Sequence, residues 1–199
     1  MARVLVMVPS FEGRVKSLTA QSLCNMDWGE DEVEFRFIGG YDVARARRRM
    51  ASDAIEGGFD FLMMVDSDMV VPEDALVNLR GLDENVAMGW AVRGTSDDGL
   101  TSVIRMDSHS YHDSYYAGEV ASADVPLEVK GCGLCCALIR VDVFSRIRRP
   151  WFEYRENPDG SMLGEDFFFC QRCHEAGIRL YVDPRVGCGH IHDRVLEAR

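Results

Sequence analysis

Phe59-Asp60-Phe61-Leu62-Met63-Met64-Val65-Asp66-Ser67-Asp68 is the stretch whose reading decides the fold. Phe61 to Val65 is an unbroken apolar run, bounded by Gly57-Gly58 before it and Asp66 after it. A run of that length between a glycine pair and a carboxylate reads as a strand buried on both faces. Asp66 and Asp68 stand two residues apart, so in extended chain both point to one side. Two carboxylates so placed repel each other unless a cation stands between them. In open α/β sheets, ligands bind at the carboxyl ends of the strands. Hard oxygen donors there suit magnesium or manganese, which keep water ligands and share substrate phosphates. The competing reading makes one Asp a cap for the next helix. A single Asp would favour the cap; the pair behind such a strand favours the ion.

Outward from that strand, the same alternation of elements repeats. On the N-terminal side, Val43, Ala46, Met50, Ala54 and Ile55 recur at helical spacing, with Asp42 as N-cap and Gly57-Gly58 as the stop. Arg47 to Arg49 read as a solvated basic face of this helix, and Arg45, in its first turn, as the arginine able to reach a diphosphate. Val33, Phe35 and Phe37 alternate with Glu34 and Arg36, the period of a half-exposed strand. Val4 to Val8 is a second buried strand, and Pro9 takes the chain out of the sheet at the same edge as Asp66. Val15, Leu18 and Leu23 mark a weakly patterned helix between the two. On the C-terminal side, Pro72-Glu73-Asp74 opens a helix, and Val86 to Val92 is another strand. Strand, helix, strand, helix, strand, helix, strand implies a mainly parallel sheet with helices on both faces.

The second half is less regular. Gly94 to Asp124 reads as a long polar loop carrying His109, Tyr111, His112, Tyr115 and Tyr116, whose rings suit sugar or small-acceptor contacts as well as a surface excursion does. Gly131-Cys132-Gly133 implies close backbone approach ahead of a strand over Leu134 to Val141. Pro150 to Tyr154 is an aromatic cluster, either a core plug or a ligand platform. Gly164 opens a helix ending at Gly177, with Glu165 and Asp166 at its N-terminus, where the dipole favours carboxylates. Ile178 to Val182 is a strand followed by an Asp183-Pro184 turn, and Val186 to His192 is a last short strand that puts His190 and His192 on one face.

Composition bounds the function. The chain has 199 residues and a formal net charge of -11, from 33 acidic against 22 basic residues. That balance argues against broad, non-specific nucleic-acid binding. No apolar run has the length of a membrane span or of a signal h-region. Seven cysteines without a secretory signal read as reduced thiols of a cytoplasmic protein. Cys132-x-x-Cys135 and Cys170-x-x-Cys173 have zinc-site spacing, but one pair lies in a buried strand and the other in a helix, where cysteine serves as a small hydrophobe.

The ordered set of segments resembles a small, family-2-like glycosyltransferase of the GT-A fold, the nucleotide-sugar-dependent class. Val4 to Pro9, Ala44-Arg45-Ala46-Arg47, the Asp66-Ser67-Asp68 motif with Val70 to Leu76, Gly131 to Arg140, Gly164 to Gly177, Tyr181 to Pro184 and Gly189-His190-Ile191 carry it. The resemblance implies a three-layer α/β/α sandwich with a mainly parallel mixed sheet. It implies a single catalytic domain over 1–199, with 1–93 as nucleotide-binding half and 94–199 as acceptor-side half. The donor would be a nucleoside diphosphate sugar of UDP or GDP type, and the acceptor a hydroxyl. Asp68 and His190 would bind manganese or magnesium, with Asp66 beside them on the ion or the ribose. Pro9, Ser10, Glu12, Arg45 and Ser67 would hold the nucleotide. Asp166, with Glu165, would be catalytic, Asp166 as general base in an inverting enzyme. With so short a chain the acceptor site is shallow, or is completed by a partner subunit in a homo-oligomer. Two rivals stand beside this reading: a nucleotidyltransferase on a similar sheet, for which Gly13-Arg14 is a poor phosphate loop, and a non-catalytic nucleotide-sugar-binding protein.

Overall fold

The computed structural model describes residues 1–10, 13–93, 99–108, 111 and 113–192. In the first half, β1 (Arg3–Ser10), α1 (Ser17–Cys24), β2 (Glu32–Gly39), α2 (Val43–Glu56), β3 (Phe61–Val65), β4 (Met69–Val70), α3 (Ala75–Gly81) and β5 (Val86–Trp90) follow one another. The second half adds β6 (Leu100–Arg105), β7 (Ser114–Tyr116), α4 (Ala117–Ala121), β8 (Leu127–Gly131), β9 (Cys136–Arg140) and α5 (Val143–Arg146). Then come β10 (Arg155–Glu156), β11 (Met162–Leu163), α6 (Glu165–Glu175), β12 (Tyr181–Gly187) and β13 (Gly189–His190).

The main sheet has the order β2-β1-β3-β9-β5-β12-β8-β6-β7. Strands β2, β1, β3, β5, β12 and β6 share one direction, and β9, β8 and β7 run against them. The fold is therefore the expected mixed α/β sandwich. All five residues of β3 are buried, and they divide between two core layers. Phe61, Met63 and Val65 pack on one side with Val4, Val6 and Val8 of β1; Leu62 and Met64 pack on the other with Leu5 and Met7. Alternate side chains of one strand thus feed opposite layers, which is why the sequence shows a continuous apolar run.

Several elements depart from expectation. Pro9 does not leave the sheet: β1 continues through Pro9 and Ser10 against Ile38 and Gly39. Asp60 N donates to Arg3 O, so odd residues of β1 face β3, and pairing with β3 ends at Met7. The missing N–H of Pro9 therefore points past the end of β3 and costs no ladder bond. Helix α3 starts at Ala75, three residues after Pro72. In α1 the buried residues are Thr19, Ser22 and Leu23, whereas Leu18 is exposed. Strand β12 runs through Asp183 and Pro184. The stretch read as a long loop instead contributes β6, β7 and α4, which extend the sheet beyond β8. His109 and His112 lie outside the described residues. The aromatic cluster splits: Trp151 and Phe152 are buried against Phe144 and Phe169, and Tyr154 is exposed.

Candidate active site

Asp68 and His190 meet because of two very short strands. Just beyond Asp68, β4 pairs antiparallel with β13, placing His190 opposite Met69, and Ile191 N donates to Asp68 O at 2.9 Å. The Asp68 Oδ2 to His190 Nε2 distance is 3.4 Å, and both side chains keep solvent access. His190 Nδ1 lies 3.4 Å from Val92 O, an orientation that turns Nε2 toward Asp68. The His192 ring lies tilted at 54° to that of His190, with centroids 4.0 Å apart. A carboxylate and an imidazole at this spacing suit two neighbouring ligands of one divalent ion, each at about 2.1 Å.

Asp66 lines the same cavity as Asp68 and His190, and it is tied to the protein there. Its two oxygens accept from Arg47 Nη2 at 2.9 and 3.2 Å. Arg47 is 3% exposed and also stands 3.3 Å from Glu165 through Nη1. The sequence reading placed Arg47 on a solvated face; it is instead the buried counter-ion of the site. Its signal was its place in the stripe Arg47, Met50, Ala51, Ala54, at helical spacing along the buried face of α2. Burial works against the Arg47 charge, but Asp66, Glu165 and Asp166 raise its pKa above the ordinary value. Burial, aided by Asp68 and Glu165, in turn lifts the Asp66 carboxyl, with Arg47 opposing. Arg47 Nε and Nη1 have no hydrogen-bond partner within the described protein.

Helix α6 delivers the other two carboxylates. Glu165 is buried on Arg47. Asp166 accepts from Phe167 N at 2.7 Å, the free N–H of a helix first turn. Burial, then Glu165 and Asp66, push the Asp166 carboxyl up to about 6, against the pull of Arg47 and the Phe167 N–H. Gly133 explains the glycines before β9: a Cβ there would stand 2.9 Å from Ser102 Oγ and 3.6 Å from Asp166 Oδ2. Tyr154 lies beside Glu165, and burial together with that carboxylate pushes its hydroxyl up to about 12.

Three cavities share Asp166. One of about 300 Å³ is lined by Pro9, Tyr41, Arg47, Asp66, Ser67, Asp68, Tyr154 and Glu165. A second, about 280 Å³, holds Asp68, His190 and Arg93. A third, about 460 Å³, is walled by Arg93, Tyr111, Phe167 and the turn from Asn157 to Met162. Pro9 and Ser67 are therefore at the cleft. Ser10 is not among its lining residues, and its hydroxyl donates to Arg14 O at 2.9 Å. Arg45 is exposed and sits over the Tyr41 ring at 4.8 Å, one ring removed from the cleft. Glu12 lies outside the described residues. The sequence reading passed over Arg93, although it follows the carboxyl end of β5, the same sheet edge. It donates to Ser114 Oγ at 2.7 Å and lines two of the three cavities.

All seven cysteines are free, and six are buried. Cys170 donates to Cys132 O, and burial raises the thiol pKa of Cys132, Cys170 and Cys173. Among the described residues no three His, Cys, Asp or Glu side chains are grouped to hold a metal ion. Cys132, Cys135, Cys170 and Cys173 are all described residues and do not come together in such a group. Among the described residues no helix is long and apolar enough to cross a membrane.

No family model matches the chain. No curated protein matches its sequence. Solved structures do match its fold. A197 from STIV superposes with a TM-score of 0.67 at 22% identity, over 96% of this chain and 86% of that one. TarS 1-349 of S. aureus in complex with UDP-GlcNAc, a GT-A-like glycosyltransferase, gives 0.55 at 13% identity over 98% of this chain. The complex of the same protein with UDP gives 0.52 over 92%. This chain spans 60% of the length of the first TarS structure and 58% of the second. The fold is thus GT-A-like.

Proposed function

We propose that the chain is a metal-dependent glycosyltransferase that moves a sugar from a nucleoside diphosphate sugar to an acceptor hydroxyl. The observation that carries this reading is the meeting of Asp68, His190 and Asp166 on one cavity, with 190 minus 68, or 122, positions of chain between the first two. Two ligands suffice for an ion that takes its remaining oxygens from diphosphate and water. Such an ion would neutralise charge that builds on the leaving diphosphate.

The chain's own groups account for the rest. Pro9, Tyr41 and Ser67 line the donor cavity and would receive the nucleotide. Arg47 fixes Asp66 and Glu165, so the carboxylates are held before the donor arrives. Asp166 faces both the donor cavity and the cavity beside Tyr111 and Phe167, where the acceptor would enter. A carboxyl lifted to about 6 is ionised at neutral pH yet basic enough to take the acceptor's proton in an inverting transfer. The whole chain would act as one catalytic domain. The UDP-GlcNAc bound to TarS makes UDP-sugars the first donors to try.

A thermal-shift screen of UDP- and GDP-sugars, with and without manganese, tests the reading. The wild-type protein should be stabilised by donor only with the ion, and Asp68→Ala should lose that shift while keeping its ligand-free melting point. Stabilisation that survives in Asp68→Ala would remove the ion from this site.

A further inference from the structure

Strand β2 ends the main sheet, and among the described residues it pairs only with β1. It is eight residues long, Glu32-Val33-Glu34-Phe35-Arg36-Phe37-Ile38-Gly39, with neither proline nor lysine. An open edge of that length is a template for another strand, and proteins usually blunt it. Glu32 N donates to Ala2 O at 2.9 Å, so Glu32 faces β1. In a parallel ladder the facing alternates, so Val33, Phe35 and Phe37 turn both main-chain groups outward. Phe37 is 55% exposed and meets the Phe35 ring edge-on at 4.9 Å.

We infer that β2 joins two copies of this chain, paired antiparallel about a two-fold axis at Phe35. In that register Phe35 faces its own copy, and Val33 faces Phe37 of the second copy. These are the residues with outward N–H and C=O groups, so each pair exchanges main-chain bonds. Glu34 then faces Arg36 of the second copy, and Arg36 faces Glu34. These are the closer, non-hydrogen-bonded pairs, where opposite charges stabilise. Within one chain Arg36 Nε already donates to Glu34 Oε1 at 2.7 Å, with 38% and 48% of the two side chains exposed. Sliding by one pair step sets Glu34 against Glu34, and sliding the other way sets Arg36 against Arg36. Like charges directly opposite are destabilising, and a one-residue slip would match outward groups with inward ones. The charge pattern therefore selects one self-complementary register, the requirement of a two-fold interface.

The contact would reach the active site. Past its C-terminal end, Gly40 turns with φ +79°, and Tyr41 enters the donor cavity wall. Pairing β2 would fix the strand from which that turn departs.

Sedimentation equilibrium at physiological salt, over micromolar concentrations, tests the inference. The wild-type chain should be a dimer. Arg36→Glu should weaken it roughly tenfold to a hundredfold, because both cross pairs become repulsive. The double variant Glu34→Arg with Arg36→Glu should restore it, because the swap keeps opposite charges paired. Both side chains keep solvent access, so each variant should still fold as a monomer, its melting point at high dilution moving by a few degrees at most. A monomeric wild type, a dimer indifferent to Arg36→Glu, or a swap that fails to restore association would each overturn the proposal.

Discussion

Two of the three cavities that share Asp166 are built differently. The donor-side cavity lies at the ends of β1 and β3 and the first turns of α2, elements whose side chains fill both core layers. Its charges are tied across long stretches of sequence, Arg47 to Asp66 and Arg47 to Glu165. The acceptor-side cavity is walled by the turn between β10 and β11, where Asn157, Asp159 and Ser161 bond to near neighbours. The charges of the first wall are tied by tertiary contacts, whereas the turn in the second carries bonds among near neighbours. Under the proposed function, a site divided this way would hold the ion, diphosphate and base pre-positioned, while the side that would meet an acceptor rests on a turn.

The sharpest break of that contrast is at Arg47. Removing it leaves Asp66 and Glu165 beside one another in a buried setting with no counter-charge. Breaking a buried ion pair by deleting one partner costs about 3–5 kcal/mol, so Arg47→Met should lower unfolding stability by that amount in urea melts. Asp159→Ala, on the exposed turn of the other cavity, should cost no more than about 1 kcal/mol. Equal losses would mean that the two walls are held alike.

What could be read from the sequence follows the same division. Strands β1 and β3, helix α2 and its Asp42 cap were legible because burial on both faces leaves continuous apolar runs, and because Asp42 accepts from Arg45 N as an N-cap should. The Asp66–Asp68 pair announced a site, but it could not announce which carboxylate is bound by protein. Arg47 was misread because charges on a helix are solvated by default, and only its step within the apolar stripe said otherwise. His190 and Asp166 became candidates through resemblance, since nothing local says that β13 will pair with β4. The insertion of β9 between β3 and β5 was likewise beyond reach, because strand order is set by contacts far apart in sequence. Strands β6 and β7 are short and mix polar with apolar residues, and their pairing shifts register, so their stretch reads as a loop.

Asp166 belongs to both cavities, and its titration gives a smaller but more specific test. Its pKa in the folded, metal-free protein is raised from 3.8 to about 6. If it is the base, it must be ionised, so kcat/KM for transfer should be flat at neutral pH and fall about tenfold per unit once pH drops below the midpoint of the metal-loaded protein, which lies at or below 6. The stability effect has the opposite sign. A carboxyl whose folded pKa lies above its unfolded value binds protons more tightly when folded, so this group favours folding as pH falls from 6 toward 4. Carboxyl NMR of the metal-free protein should place the midpoint near 6, and magnesium should lower it by adding positive charge to the cavity. A midpoint near 4 without metal would remove the raised base from the site.

The smallest expected effect is on the acceptor wall. Tyr111 packs its ring 5.0 Å from Phe167, next to Asp166, and Lys130 lies over its face at 5.4 Å. Ring contact with an acceptor is worth about 0.5–1.5 kcal/mol beyond area, so Tyr111→Ala should raise the acceptor KM roughly two- to tenfold. The donor cavity does not include Tyr111. Hydrolysis of the donor in the absence of acceptor, and the metal-dependent shift with donor, should therefore match wild type. Following transfer and hydrolysis in the same samples separates the two sides of Asp166 directly. A variant that loses both in proportion would show that the cavities act as one, and that the contrast between their walls has no counterpart in binding.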